Sequence, residues 1–158
     1  MTEKEEQYLE QELSELLSLD SIQIMNKFVQ HGHVSCLTHC TSVAVYSYIF
    51  TCKLGLKVNR RALIRGALLH DYFLYDWHDK DRGFRWHGFK HPNLALCNAR
   101  KAFELSFKEA DIIKKHMWPM TIIPPVCKES FIVCLIDKYC STREVISGIK
   151  CKLLGAGV

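Results

Sequence analysis

The apolar run Phe131-Ile132-Val133-Cys134-Leu135-Ile136 ends on Asp137, and the run Ala67-Leu68-Leu69 ends on the doublet His70-Asp71. Burying a lone carboxylate in such surroundings costs several kcal/mol. His39 near the start of the apolar stretch 35–54, His91, and His116 after Ile112-Ile113 raise the same difficulty. A fold for this chain must therefore bring these groups together, or expose the apolar segments that carry them. His70 and Asp71 are adjacent, so on a helix they point about 100° apart. They can share a target only if it lies beside the helix end and other segments complete it. A common metal centre satisfies all six residues at once.

The rest of the chain reads as helices. Residues 3–18 place Tyr8, Leu9, Leu13, Leu16 and Leu17 on one stripe, the pattern of an amphipathic helix packed on a core rather than of a dimer interface. A second, shorter helix is expected over 21–30, stopped at His31-Gly32-His33. Residues 35–54 are apolar nearly all round, as in a central bundle helix. Asn59 is a good N-cap for a helix from Arg60 to about Phe73. Residues 72–90 show no clean period and predict a long functional loop. His91-Pro92 then predicts a helix start with proline at the first position. Ser106 with Glu109 forms a capping box for a helix to about Met117. Residues 126–140 make a further helix, and Ser141 with Glu144 predicts a cap for a separate last one bearing Val145, Ile146, Ile149 and Leu153. The expectation is one all-α domain over 1–158, a bundle of about seven or eight helices with its metal-binding core near 30–145.

Composition narrows the class. Apolar residues are 48% and charged residues 24%, an ordinary globular balance. An acidic start and the lack of a long apolar run predict a cytoplasmic protein without a membrane span. None of the eight cysteines forms a C-x-x-C pair, so reduced, buried thiols are expected rather than disulfides or zinc. A net charge of +4 suits an anionic small molecule and does not suggest nucleic-acid binding.

His39, His70-Asp71 and Asp137, in that order, resemble the H…HD…D signature of the HD superfamily of metal-dependent phosphohydrolases, over roughly residues 30–145. His91 and His116 resemble the extra ligands of two-metal HD families such as the HD-GYP phosphodiesterases. His70-Asp71-Tyr72, with Arg143 six residues after Asp137, is similar to bacterial HD-type diadenosine tetraphosphate hydrolases. The departures are specific. Leu74 stands where relatives carry a phosphate-contacting Lys, or a Glu in deoxynucleotidase-type members, although Asp79 falls where the latter place a second acid. No Gly-Tyr-Pro follows His116, which disfavours a cyclic-dinucleotide phosphodiesterase.

The resemblance implies a hydrolase that cleaves a phosphoester or phosphoanhydride of a nucleotide or other small phosphorylated molecule. His39, His70, Asp71 and Asp137 would hold one metal, and Asp71 would bridge to a second held by His91 and His116. Imidazole and carboxylate donors without thiolate favour Fe or Mn and admit Zn, Ni or Co. Such ions activate a water as nucleophile. Asp71 and Arg143 are the expected catalytic residues, with Arg143, Lys90, Arg82 and Arg85 positioning phosphate oxygens. His31, His33, His78 and His87 are expected to be solvated. Tyr72, Tyr75, Trp77, Phe84 and Trp86 are expected to pack on the protein rather than on a nucleobase. The alternative function is a binding or sensing module that keeps the metal ligands without turnover, motivated by Leu74. A homo-oligomer remains open.

Overall fold

The computed structural model describes residues 1–31, 34–77 and 87–153. Seven α-helices dominate them: α1 Glu3–Leu17, α2 Asp20–Gln23, α3 Cys36–Lys53, α4 Arg60–Leu69, α5 His87–Ala102, α6 Phe107–Lys115 and α7 Lys128–Leu153. A 3-10 turn, Ile24–Lys27, leads into a small antiparallel hairpin of β1 Val29–His31 and β2 Val34–Ser35. The protein is an all-α helical bundle. Among the described residues no helix is long and apolar enough to cross a membrane.

Two helical hairpins organise the bundle. Ser35 caps α3 by accepting from Thr38 N, and Gly55 ends it in the left-handed conformation, φ 60°. Asn59 then caps α4 through Ala62 N at 3.0 Å. The short connection between α3 and α4 turns the chain back on itself, so the start of α3 lies beside the end of α4. The same logic joins α5 to α6, where Ser106 and Glu109 form both bonds of the expected capping box. The start of α5 therefore lies beside the end of α6. Helix α4 packs on α3 and α6, and α7 closes the bundle across α3 and α6.

The core runs through α4, where Leu63, Ile64, Ala67, Leu68 and Leu69 are fully buried against Val43, Ala44 and Tyr48 of α3 and Ile112 and Ile113 of α6. Gly66 lets α4 and α6 approach closely: a Cβ there would lie 2.5 Å from Ile112 Cδ1 and 3.1 Å from its Cβ. Leu9, Leu13 and Leu16 of α1 cover the bundle as the stripe predicts. The Thr2–Glu5 capping box starts that helix.

Three elements differ from expectation. The helix expected over 21–30 stops early, because Val29 and His31 pair with Ser35 and Val34 in the hairpin and Cys36 N bonds Phe28 O at 2.8 Å. Helix α5 begins at His87, so Pro92 lies inside it rather than at its first position. Proline there costs the Gly88 carbonyl its helical donor. The break expected at Ser141–Glu144 does not occur, and α7 is one 26-residue helix. Ser141 Oγ donates to Asp137 Oδ1 at 3.4 Å rather than capping, and Thr142 Oγ1 donates back to Lys138 O at 2.7 Å, the mid-helix alternatives open to hydroxyl side chains.

Candidate metal centre

The two hairpins deliver histidines in pairs. His39 comes from the first turn of α3 and His70 caps the end of α4. His91 comes from α5, near its start, and His116 caps the end of α6. Asp71 follows directly on α4, and Asp137 enters from the middle of α7. All six are buried, none more than 6% exposed.

Each histidine is held by its Nδ1. His70 Nδ1 donates to Ala67 O at 2.7 Å and His116 Nδ1 to Ile113 O at 2.9 Å, the same three-residue reach back at a helix end. His91 Nδ1 donates to His87 O at 3.0 Å. His39 Nδ1 lies 3.0 Å from the Glu144 carboxylate. These acceptors hold a proton on each Nδ1 and aim all four Nε2 atoms at the carboxylates between them, leaving Nε2 as the nitrogen each ring would offer a metal.

Asp71 stands between the pairs. Its Oδ1 lies 3.0 Å from His91 Nε2 and 3.4 Å from His116 Nε2. Its Oδ2 lies 3.4 Å from His70 Nε2 and 3.9 Å from His39 Nε2. Asp137 Oδ1 closes the second group, 3.1 Å from His39 Nε2 and 3.5 Å from His70 Nε2. Two ligand sets result, His39–His70–Asp71 and Asp71–His91–His116, each compact enough to hold an ion.

The electrostatics call for positive charge. His91 Nε2 and His116 Nε2 are 2.8 Å apart, and with both Nδ1 atoms facing carbonyls a cation beside Asp71 could take both Nε2 atoms as ligands. His70 Nε2 and Asp71 Oδ1 are buried without a hydrogen-bond partner. Burial opposes a charge on His39, yet Asp137 and Glu144 outweigh it and raise its pKa to about 9. Burial likewise opposes a charge on His70, and Asp71 and Asp137 push its pKa well above the usual imidazole value. Burial would raise Asp71 and Asp137, but the histidines around them hold both well below the usual carboxylate range. Such a site draws in cations, and its donor set fits divalent metal.

Residues 36–142 match the family model of the HD domain. The chain belongs to the HD domain family. That family consists largely of metal-dependent hydrolases whose domain binds divalent metal, which agrees with the two histidine–aspartate clusters. No curated protein and no solved structure matches the chain significantly.

A cavity of 650 Å³ opens onto the centre, lined by Asp71, His91 and Asp137 on one side and Trp77, Met117, Pro119 and Met120 on the other. Among the described residues, Arg143 and Lys90, two of those expected to position phosphate, do not line it. Arg143 donates to the hydroxyls of Tyr46 at 2.9 Å and Tyr139 at 3.4 Å, lies over both rings, and is absent from the cavity lining. Six residues past Asp137 is 600° of rotation, which turns Arg143 toward α3 instead. Lys90 is exposed on α5, one residue and about 100° from His91. Arg82 and Arg85 lie outside the described residues, as do Asp79 and the other residues of 78–86.

Four neighbours of the site escaped the sequence reading. Glu144 was expected to be a capping acid and instead supports His39; only a continuous α7 places it on Asp137's face, seven residues on. Gln30 donates its side-chain amide to Asp71 Oδ2, and nothing in the helical pattern signals it. Lys138 lines the cavity and donates Nζ to His116 O at 3.0 Å and Cys134 O at 3.1 Å. Its position beside Asp137 was the available signal. His87 is not a solvated histidine: its ring stacks between His91 at 4.6 Å and Trp77 at 4.7 Å, and it meets Tyr75 Oη at 2.8 Å. Leu74, at the relatives' Lys position, packs on the core with φ 56°.

Proposed function

We propose that the protein is a metal-dependent phosphohydrolase that cleaves a phosphoester or phosphoanhydride of a nucleotide or another small phosphorylated molecule. The observation that carries this reading is Asp71, a buried carboxylate whose two oxygens each face a separate pair of histidine Nε2 atoms. His39, His70, Asp71 and Asp137 would hold one divalent ion, and Asp71, His91 and His116 a second. Bound there, such ions supply a polarised water and neutralise phosphoryl oxygens. Hydrolysis consumes one water: its oxygen bonds phosphorus, the bond to the leaving oxygen breaks, and one of its protons passes to that leaving oxygen.

The chain's own residues prepare the site. Ala67 O, Ile113 O, His87 O and Glu144 hold the four imidazoles in one tautomer and orientation. Gln30 fixes Asp71 from the hairpin side. Lys138, anchored by two carbonyls, sets a positive charge at the cavity edge beside Asp137, the role its relatives give to a Lys at the Leu74 position. Burial raises the Cys40 thiol well above its ordinary pKa, which keeps it protonated and leaves imidazole and carboxylate as the ligands. Such donors suit Fe or Mn.

The test is a panel of phosphomonoesters, nucleotides and dinucleoside polyphosphates assayed with Mn²⁺- or Fe²⁺-loaded protein. The reading predicts release of phosphate or nucleotide from at least one, and at least a hundredfold less from Asp71→Ala. Retained turnover in Asp71→Ala, or no cleavage across the panel by fully metal-loaded protein, would overturn it.

A further inference from the structure

We infer that the substrate carries an apolar group that extends from the metal centre across Met120 into a second groove, so that the natural substrate is an amphiphilic phosphoester. This rests on the phosphohydrolase reading and narrows its substrate class. Two cavities lie side by side. The 650 Å³ cavity is lined by Asp71, His91 and Asp137 of the proposed centre and by the apolar Trp77, Met117, Pro119 and Met120. The second, 360 Å³, runs between α5, the end of α6 and the segment after it, and is lined by the apolar Phe89, Pro92, Met120, Ile122 and Ile123 together with Asn93, Lys114, Lys115 and Thr121. Met120 lines both, so the two cavities adjoin at its side chain.

The saddle at Met120 is built into the backbone. Gly88 on α5 has no side chain where Met120 rests, and a Cβ there would lie 2.8 Å from Met120 Cε and 3.9 Å from Met117 Cε. Beyond the saddle, Ile122 is 93% exposed, Ile123 61% and Phe89 46%. Apolar side chains this open, contiguous with a ligand cavity, mark a binding surface. Continuity with the metal site identifies the occupant as the remainder of the same molecule. A phosphate beside Asp71, Asp137 and Lys138 would leave its ester substituent to meet the apolar residues that line the same cavity, Met120 among them.

The probe is a series of n-alkylphosphonates, from methyl to heptyl, titrated calorimetrically into Mn²⁺-loaded protein, with inorganic phosphate as reference. A fully buried methylene is worth about fourfold in affinity, so a half-open groove should give about twofold per added carbon. The double variant Ile122→Ser/Ile123→Ser changes exposed positions and leaves the core intact. It should flatten the series for the longer chains, and Met120→Ala should flatten it from the shorter ones onward. Phosphate and methylphosphonate binding without dependence on chain length would overturn this inference and leave the phosphohydrolase reading standing. The same holds for a slope that survives both variants. No binding of phosphate or of any phosphonate by fully metal-loaded protein would overturn both.

Discussion

Replacing Glu144 with alanine tests how the centre is held together. His39 is fully buried, and the Glu144 carboxylate, 14% exposed, accepts its Nδ1 proton at 3.0 Å. Without that acceptor the imidazole loses both its fixed tautomer and the negative charge that makes Nε2 a stronger donor. Loss of such a partner lowers metal affinity about 10–100-fold, or about 1.4–2.7 kcal/mol. The buried N–H left without a partner also costs about 1–2 kcal/mol of folding stability, or roughly 2–8 °C in a domain of this size. The assay is Mn²⁺ titration against a chelating dye, with thermal unfolding of the metal-free protein alongside. Glu144→Gln keeps an acceptor oxygen and should recover most of the stability but only part of the affinity, because the charge is gone. If Glu144→Ala binds metal as tightly as the wild type, Glu144 does not orient His39. If the Gln and Ala variants are equally destabilised, the hydrogen bond is not what Glu144 contributes.

Other consequences follow from the same structure. His116→Ala should reduce bound Mn²⁺ from two ions per chain toward one, because it removes a ligand only from the Asp71–His91–His116 set; elemental analysis reads the ratio. Gly66→Ala should destabilise by about 1–3 kcal/mol through overpacking against Ile112, and Ile112→Val in the same chain should restore part of that loss in urea unfolding. Asp111 bonds Lys115 at 2.7 Å and accepts from the backbone of Val126 and Cys127. Burial raises its pKa, but these partners outweigh it, so the net shift is downward. A depressed carboxylate stabilises fully above its unfolded pKa of about 3.9 and loses that stabilisation as pH falls through its folded value. Asp111→Asn should therefore cost about 1–2 kcal/mol at pH 6, with the difference from wild type shrinking below about pH 4.

The helical fold class was legible from the apolar periodicity, and the meeting of His39, His70, Asp71, His91, His116 and Asp137 from a simple rule: ionisable groups in or beside apolar helical segments must find partners, and these six lie together. Local capping chemistry identified the starts of α4 and α6 because Asn59, and Ser106 with Glu109, act within their own helix turn. The parts that were not legible depend on contacts distant in sequence. Gln30 leaves the helical pattern to reach Asp71, 41 residues away. Ser141 to Glu144 read as a cap, yet α7 continues because Glu144 finds His39 across the bundle, 105 residues away. Arg143 read as a phosphate ligand by its spacing from Asp137, but the turn of a continuous helix carries it to Tyr46 and Tyr139 instead.

An anomalous-scattering map from crystals grown with Mn²⁺ tests most directly whether Asp71 stands between two metal ions, as proposed. Two peaks should flank the Asp71 carboxylate, one beside His39, His70 and Asp137 and the other beside His91 and His116. An empty centre at saturating metal would contradict the proposal. So would a single peak contacting only one histidine pair.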